Sequence, residues 1–119
     1  MTIKTYKELV VWQKSMDLVC EIYKLTKLLP KEEAYGLCNQ MQRAAVSIPS
    51  NIAEGQFRNS TKEFAQFLSI SKGSVAELDT QLQICLRLNY LSNAKIQMAV
   101  DLCAEIGKML NALISALPV

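Results

Sequence analysis

The stretch RAAVSIPSNIAEGQFRNSTKE, residues Arg43 to Glu63, decides how this chain folds. Sequence on both sides of it has the regular apolar spacing of long helices, whereas here Pro49 and Gly55 stand among small polar residues. Pro49 cannot donate a hydrogen bond to the carbonyl of Ala45 and its ring crowds that carbonyl, so a bend is expected. Gly55 is the natural terminator of this helix because glycine readily adopts a positive φ, and a further turn through Arg58 is the alternative. The stretch therefore predicts a bent helix end followed by a turn.

Two helices flank this turn. The earlier helix begins near Gly36 or Leu37. Its apolar row consists of Leu37, Met41, Ala45 (or Ala44), Ile48 and Ile52. Ser60 and Glu63 fit a capping box, in which each side chain satisfies a free backbone N–H, so the later helix starts there and runs to about Leu88. Its row recurs at steps of four and three residues and consists of Phe64, Leu68, Ser71, Val75, Leu78, Leu82 and Cys85.

A first and a fourth helix complete the pattern. Thr5 and Glu8 fit another capping box, and Pro30 ends the first helix. One apolar row of this helix is Leu9, Trp12, Met16, Val19 and Tyr23, and a second is Val11, Leu18, Ile22, Leu25 and Leu29. After a turn at residues 89–93, Ser92 or Asn93 caps the fourth helix. Its row is Ile96, Ala99, Cys103, Ile106, Leu110, Leu113 and Leu117.

Four helices with short connections predict an all-α fold, an antiparallel up-down-up-down four-helix bundle forming one domain over residues 1–119. The first, third and fourth helices are each expected to exceed twenty residues. All helices carry more apolar residues than one buried seam needs, which favours a second buried surface and hence self-association. The alternative is a monomer with a broad core.

Composition excludes several classes of function. The net charge is only +2, a weak signal for nucleic acid that still allows a local basic patch. The first residues lack an apolar signal segment and no run of about 18 apolar residues occurs, so we expect a cytoplasmic protein without a membrane span. The four cysteines have no CxxC spacing and are interpreted as buried small hydrophobes rather than a zinc site.

No catalytic set is recognisable. The chain has no histidine, which removes the commonest general base and metal ligand, and it has no glycine-rich phosphate loop. The central carboxylates are Glu54, Glu63, Glu77 and Asp79, but the Glu-x-x-His motif of a di-metal bundle is absent. We therefore expect a protein that is not an enzyme and uses no metal or cofactor.

Two polar stripes are the candidate interaction surfaces. The first, on the second helix, consists of Arg43, Ser47, Ser50, Asn51 and Glu54, with Arg58 as its continuation. The second, on the third helix, consists of Ser69, Gly73, Ala76, Glu77 and Thr80. Small residues allow another helix to approach closely, and polar atoms can bridge to it. A solvated face is the alternative, although such faces usually carry more Lys and Glu.

Four basic residues on or beside these stripes are candidates for contacts with phosphates, namely Arg43, Arg58, Lys62 and Lys72. Lys14 and Arg87 are more distant candidates. Few aromatic residues lie near them in sequence, so base stacking is not indicated. For any single lysine, ordinary surface charge is the alternative interpretation.

The segment from Arg43, including SIPSNIAEG and GSVAELDTQL, resembles the four-helix-bundle proteins encoded in intervening sequences of bacterial 23S ribosomal RNA genes. The opening ELVVWQKSMDLVCEIYKL, the LPKEEAYGLCNQM connection and the LNYLS turn fit the same pattern. The resemblance extends over residues 6–91 and is weaker in the last helix. It implies a bundle that assembles as a ring, a homopentamer, and contributes no catalytic residues.

Relatives of that family include the accessory protein of diversity-generating retroelements, which binds nucleic acid through a basic ring surface and partners a reverse transcriptase. The resemblance therefore implies self-association and contact with RNA, DNA or a reverse-transcriptase-like protein. The candidate motif and interface residues are Ser47, Pro49, Asn51, Glu54, Gly55, Gly73, Glu77 and Thr80. A structural or protein-interaction scaffold without affinity for nucleic acid is the alternative.

Overall fold

The structure, a computed structural model, describes residues 5–118. Four α-helices occupy most of this range: α1 is Val10–Thr26, α2 is Leu37–Gln56, α3 is Thr61–Arg87 and α4 is Asn93–Ala116. Short 3₁₀ turns at Tyr6–Glu8 and Lys31–Glu33 precede α1 and α2. Residues 5–118 contain no strand, which confirms the predicted all-α class.

The helices form an antiparallel up-down-up-down bundle, as predicted. Each helix packs against its neighbour in sequence, and α1 also packs against α4, so the four helices close into one bundle. The shortest connections are those from α2 to α3 and from α3 to α4, and they leave room only for antiparallel neighbours. None of the helices in residues 5–118 is long and apolar enough to cross a membrane.

The predicted apolar rows of α2, α3 and α4 form the core. In α1 the second of the two predicted rows faces inward, not the first. The side chains that α1 buries include most of its second row and are Val11, Ser15, Leu18, Ile22, Leu25 and Thr26. From the first row, Met16 and Tyr23 are exposed by 40% and 43%. Both rows are apolar, so periodicity alone could not decide between them. Leu9, Trp12 and Val19 of this row pack against the edge of the core, and Met16 and Tyr23 are left on the outer side of α1.

The start and end of α1 differ from the sequence prediction. The Thr5 hydroxyl accepts a hydrogen bond from the Lys7 N–H at 3.4 Å and caps the 3₁₀ turn, not the long helix. Leu9 is extended (φ −73°, ψ 123°), so α1 begins only at Val10. At its other end α1 stops at Thr26, before Pro30, and its length is 17 residues rather than more than twenty.

The starts of α3 and α4 agree with the predicted caps. Ser60 accepts from the Glu63 N–H at 3.1 Å, and Ser92 accepts from the Lys95 N–H at 3.2 Å. Asn89 adopts φ 61° in the turn before α4, a conformation that asparagine tolerates better than most residues. α2 continues through Pro49 without a break, and the bend there stays a prediction.

Gly55 does not end α2 with a positive φ; no described glycine has one, and the helix runs on to Gln56. Its role is close approach instead. A Cβ at this position would lie 2.7 Å from the Phe67 Cβ and 3.0 Å from Phe64 Cδ1. The absence of a side chain at Gly55 therefore lets the first turns of α3 pack onto the last turn of α2.

Glu33 joins the two connections at the opposite end of the bundle. One carboxylate oxygen accepts from the Leu37 N–H at 3.2 Å and so caps the start of α2. The other accepts from the Tyr90 hydroxyl, in the α3–α4 turn, at 2.8 Å. The hydrogen bond to Glu33 raises the pKa of Tyr90, since it favours the protonated phenol. The α1–α2 and α3–α4 connections are thus in direct contact.

The cysteines fit the buried interpretation at three positions but not at the fourth. Cys38, Cys85 and Cys103 are buried, while Cys20 is exposed on α1. Burial raises the pKa of Cys38, and raises that of Cys85 to about 11 and that of Cys103 to about 12. No group of three or more His, Cys, Asp or Glu residues that could hold a metal occurs in residues 5–118.

A thiol-labelling experiment tests this burial. In the native protein we expect one thiol, that of Cys20, to react rapidly with a disulfide reagent and three to react only on unfolding. Because the folded pKa values of Cys85 and Cys103 lie above the usual thiol value, the stability they contribute is present below about pH 9 and is lost as pH rises toward 11. Rapid labelling of two or more native thiols would contradict the buried assignment.

Replacement of Gly55 by alanine tests the close approach of α2 and α3. The added Cβ would collide with Phe67, so Gly55→Ala is expected to destabilise the fold by about 1–3 kcal/mol. Gly73 is the matched control, since a Cβ there meets nothing within 4 Å. Gly73→Ala removes a helical glycine and is expected to stabilise by about 0.5–1 kcal/mol. Urea unfolding measures both, and equal effects of the two changes would argue against the close approach.

Candidate interaction face

The candidate site is the outer groove between α2 and α3, which we call the α2–α3 face. It contains a cleft of about 360 Å³. The residues that line this cleft are Asn39, Gln40, Arg43, Ala44, Ser47, Ser74 and Glu77. Arg43, Ser47 and Glu77 were candidates from sequence, so the fold brings residues of both predicted stripes to one place.

Part of this polarity holds the two helices together. The hydroxyls of Ser47 and Ser74 are 2.9 Å apart, and the Asn51 amide donates to the Ser47 carbonyl at 2.8 Å and to its hydroxyl at 2.9 Å. Deeper in the seam, the buried Ser71 hydroxyl donates to the Ile48 carbonyl at 2.9 Å. Ser47 therefore bridges α2 and α3, a role that the predicted contact face allowed, and Asn51 supports Ser47 from within α2.

Arg43 and Glu77 remain available for external contacts. Both side chains are exposed and both line the cleft. Neither takes part in an ion pair among residues 5–118. The groove therefore carries both a positive and a negative charge, which suits a polar or charged partner.

A second heptad row on α3 borders the same face and was not singled out in the sequence. Its members are Phe67, Ile70, Ser74, Glu77, Gln81, Ile84 and Leu88, at alternating steps of three and four residues. Ile70 is 50% exposed, Ile84 40% and Leu88 51%. Gln81 is only 4% exposed, and its side-chain oxygen has no hydrogen-bond partner in the structure. The same spacing rule could have found this row, since it runs parallel to the core row.

Arg58 is held by its own neighbourhood. Its guanidinium contacts a Glu54 carboxylate oxygen at 2.7 Å and approaches that of Glu63 at 3.9 Å. It also lies over the ring of Phe67, 4.8 Å from the ring centre. The candidates Arg58 and Glu54 therefore pair with each other beside the α2–α3 turn. Lys62, in the first turn of α3, is exposed and forms no ion pair among the described residues.

Lys72 lies on the other side of α3. Its ammonium donates to the Asn111 side chain on α4 at 2.8 Å, and the residue lines the α3–α4 groove. Thr80 is exposed but donates to the Ala76 carbonyl of its own helix at 2.9 Å. Gly73 is exposed with open space around it. The four candidate basic residues thus do not form one continuous patch.

Pro49 and Ser50 belong to a different groove, between α1 and α2. This groove is largely apolar, with a volume of about 320 Å³. Its lining consists of Tyr6, Trp12, Met16, Val19, Val46, Pro49, Ser50 and Ala53. Tyr6 contacts Trp12 edge to face at 5.3 Å between ring centres, and it contacts Phe57 at 5.9 Å. Ser50 lines this α1–α2 groove, whereas Ser47 lines the α2–α3 cleft and is bonded to Ser74.

This bundle is similar to a known protein family and to a solved structure. The model of the 23S rRNA-intervening sequence protein family matches residues 7–112. Among solved structures, the chain is similar to a Bacteroides thetaiotaomicron protein of unknown function from the S23 ribosomal protein family. That similarity has a TM-score of 0.82 and 26% sequence identity, over 88% of this chain and 98% of that chain. No curated protein matches significantly.

The fold, the packed seam of α2 and α3 and the family match agree with the resemblance noted in the sequence. Because the match extends over nearly the whole bundle, including the stretch Arg43–Glu63, the chain belongs to the 23S rRNA-intervening sequence protein family.

Proposed function

We propose that this chain is a non-enzymatic helical scaffold that associates with further copies of itself and presents basic residues to nucleic acid. The observation that carries the proposal is the α2–α3 face, where exposed isoleucines, a buried unpartnered glutamine and an unpaired arginine lie together. Such a face is unusual for a helix that contacts only water.

Exposed apolar area on two different sides of the bundle supports self-association. One side carries Ile70, Ile84 and Leu88 of α3, and the other carries Met16 and Val46 on α1 and α2. Contact between unlike faces of neighbouring copies is heterologous, and such contacts form rings where the rotation between copies closes. The ring that we propose is a pentamer, the assembly implied by the family resemblance.

The polar centre of the α3 row supports a specific contact. Glu77 and Gln81 place polar groups within this apolar row, and the Gln81 side-chain oxygen has no hydrogen-bond partner among residues 5–118. A polar group within an apolar seam fixes the register of packed helices, at some cost in stability.

Contact with nucleic acid is the second part of the proposal. The family takes its name from an intervening sequence of 23S rRNA. Arg43 has an exposed guanidinium with no ion pair among residues 5–118, and Lys62 is similarly available. Such cations can neutralise phosphates without reading sequence. A nucleic-acid-handling protein, such as a reverse transcriptase, is the alternative partner, and a scaffold without such affinity is the alternative function.

A charge placed on the α3 row tests self-association. Ile70→Glu introduces a carboxylate into an apolar contact, which has to be desolvated, so the variant is expected to be a smaller species than the wild type. Met98→Glu is the matched control, because Met98 on α4 is 61% exposed and does not belong to this row. Light scattering coupled to size exclusion gives the mass. A wild-type monomer at micromolar concentration would rule out the ring.

Arginine removal tests the contact with nucleic acid. Arg43→Ala deletes a side chain without an ion pair, so it is expected to leave the melting temperature unchanged. It should weaken RNA binding and reduce the slope of log K against log salt by about one. Arg58→Ala also deletes the contacts with Glu54 and Phe67, so it should lower stability by up to about 1 kcal/mol. Fluorescence anisotropy with structured RNA at several salt concentrations provides the comparison. Loss of the oligomer in Arg43→Ala would assign this arginine to assembly instead.

A further inference from the structure

The end of the bundle that carries the α1–α2 and α3–α4 connections has a distinct charge. We call it the connection end and define it as residues 24–36 and 87–95. The hydrogen bond from the Tyr90 hydroxyl to the Glu33 carboxylate, at 2.8 Å, shows that the two segments meet. Residues more than fifty positions apart in sequence therefore share one surface.

Positive charge is concentrated at this end. Its cations are Lys24, Lys27, Lys31, Arg87 and Lys95, and its only carboxylates are Glu32 and Glu33, which leaves a net charge of +3. The rest of the chain has eight cations and eleven minus two, or nine, carboxylates, for a net charge of −1. The positive net charge of the protein is thus located entirely at this end.

These cations are unpaired. All five side chains are exposed, and none forms an ion pair or a side-chain hydrogen bond within residues 5–118. Lys24 and Arg87 lie in the last turns of α1 and α3, where a cation stabilises the helix dipole. Lys95 lies in the first turn of α4, where the same dipole disfavours a cation. Helix stability therefore does not account for the whole cluster.

An exposed aromatic ring lies among these charges. Tyr35, directly before Gly36 at the start of α2, is 97% exposed. Leu28 and Leu88, at 53% and 51%, are exposed at the same end. An exposed ring beside unpaired cations is the combination by which proteins bind single-stranded nucleic acid, since bases stack on the ring while cations contact phosphates.

We propose that the connection end binds a single-stranded segment of nucleic acid, with the phosphates on its exposed cations and an unpaired base on Tyr35. This inference rests on the proposed contact with nucleic acid and gives it a different location from Arg43 and Lys62. Glu32 is the exposed carboxylate that faces this surface, and Glu33 is engaged by Tyr90 and by the start of α2.

A charge-matched pair of double variants tests this location. Lys27→Gln/Lys95→Gln removes one cation from each of the two segments that form the connection end. Lys7→Gln/Lys108→Gln removes two exposed cations elsewhere. The probe is a fluorescein-labelled 20-nucleotide single strand, as RNA and as DNA, with the matching duplex in a separate arm. Thermal melts establish that both variants fold.

The connection-end variant should bind the single strand about ten-fold more weakly at 100 mM salt, and its salt slope should fall by about 1.4, or 0.7 for each lost phosphate contact. The control variant should bind as the wild type does. Tyr35→Ser should weaken binding of the single strand by about five-fold or more while leaving the salt slope unchanged. The duplex, whose bases are stacked internally, should not respond to Tyr35→Ser.

The outcomes separate this inference from the function on which it rests. If the wild type binds the strand, and Arg43→Ala weakens it but Lys27→Gln/Lys95→Gln does not, the connection end is not the site, although the proposed function stands. Equal loss in both double variants means that only net charge matters and also overturns the location. If the wild type binds neither RNA nor DNA at 20 mM salt, this inference and the proposed contact with nucleic acid both fail.

Discussion

The structure depends on the close approach of α2 and α3 around Gly55. A Cβ there would lie 2.7 Å from that of Phe67, so only a glycine lets the first turns of α3 pack at this distance. Farther along the seam the contacts become polar, with Ser71 donating to the Ile48 carbonyl and Ser47 bonded to Ser74. Small side chains set the helix spacing, and hydroxyls satisfy the polar groups that this spacing buries.

This close seam has a consequence for the outside of the bundle. When two helices approach through small residues, the larger residues on either side of the contact line cannot all turn inward. Ile70 and Ile84 of α3 are left at the rim of the α2–α3 face, and Val46 of α2 is left beside the α1–α2 groove. Part of the apolar excess noted in the sequence therefore lies on these two sides, and the proposed assembly uses both.

The helices, the turn at Ser60 and the core rows of α2 to α4 were predictable because spacing and capping are local properties. The inward face of α1 was not, since its two rows are equally apolar and only packing against α2 and α4 selects the one containing Leu18 and Ile22. The role of Gly55 was also missed, because close approach depends on Phe67, which lies on another helix. Arg58 was a binding candidate until its contacts with Glu54 and Phe67 were known.

The charge distribution shows why a total of +2 says little about partners. Two carboxylates outside the connection end form ion pairs: Glu54 pairs with Arg58, and Glu105 pairs with Lys14 at 2.9 Å. Glu33, in contrast, is used by a phenol and a backbone amide, so its charge is engaged without pairing any lysine. The cations of the connection end therefore remain without partners although carboxylates are nearly as numerous as cations in the whole chain. An oligomer would multiply this local excess, because each copy contributes the same +3 end while its balanced remainder adds little to the field.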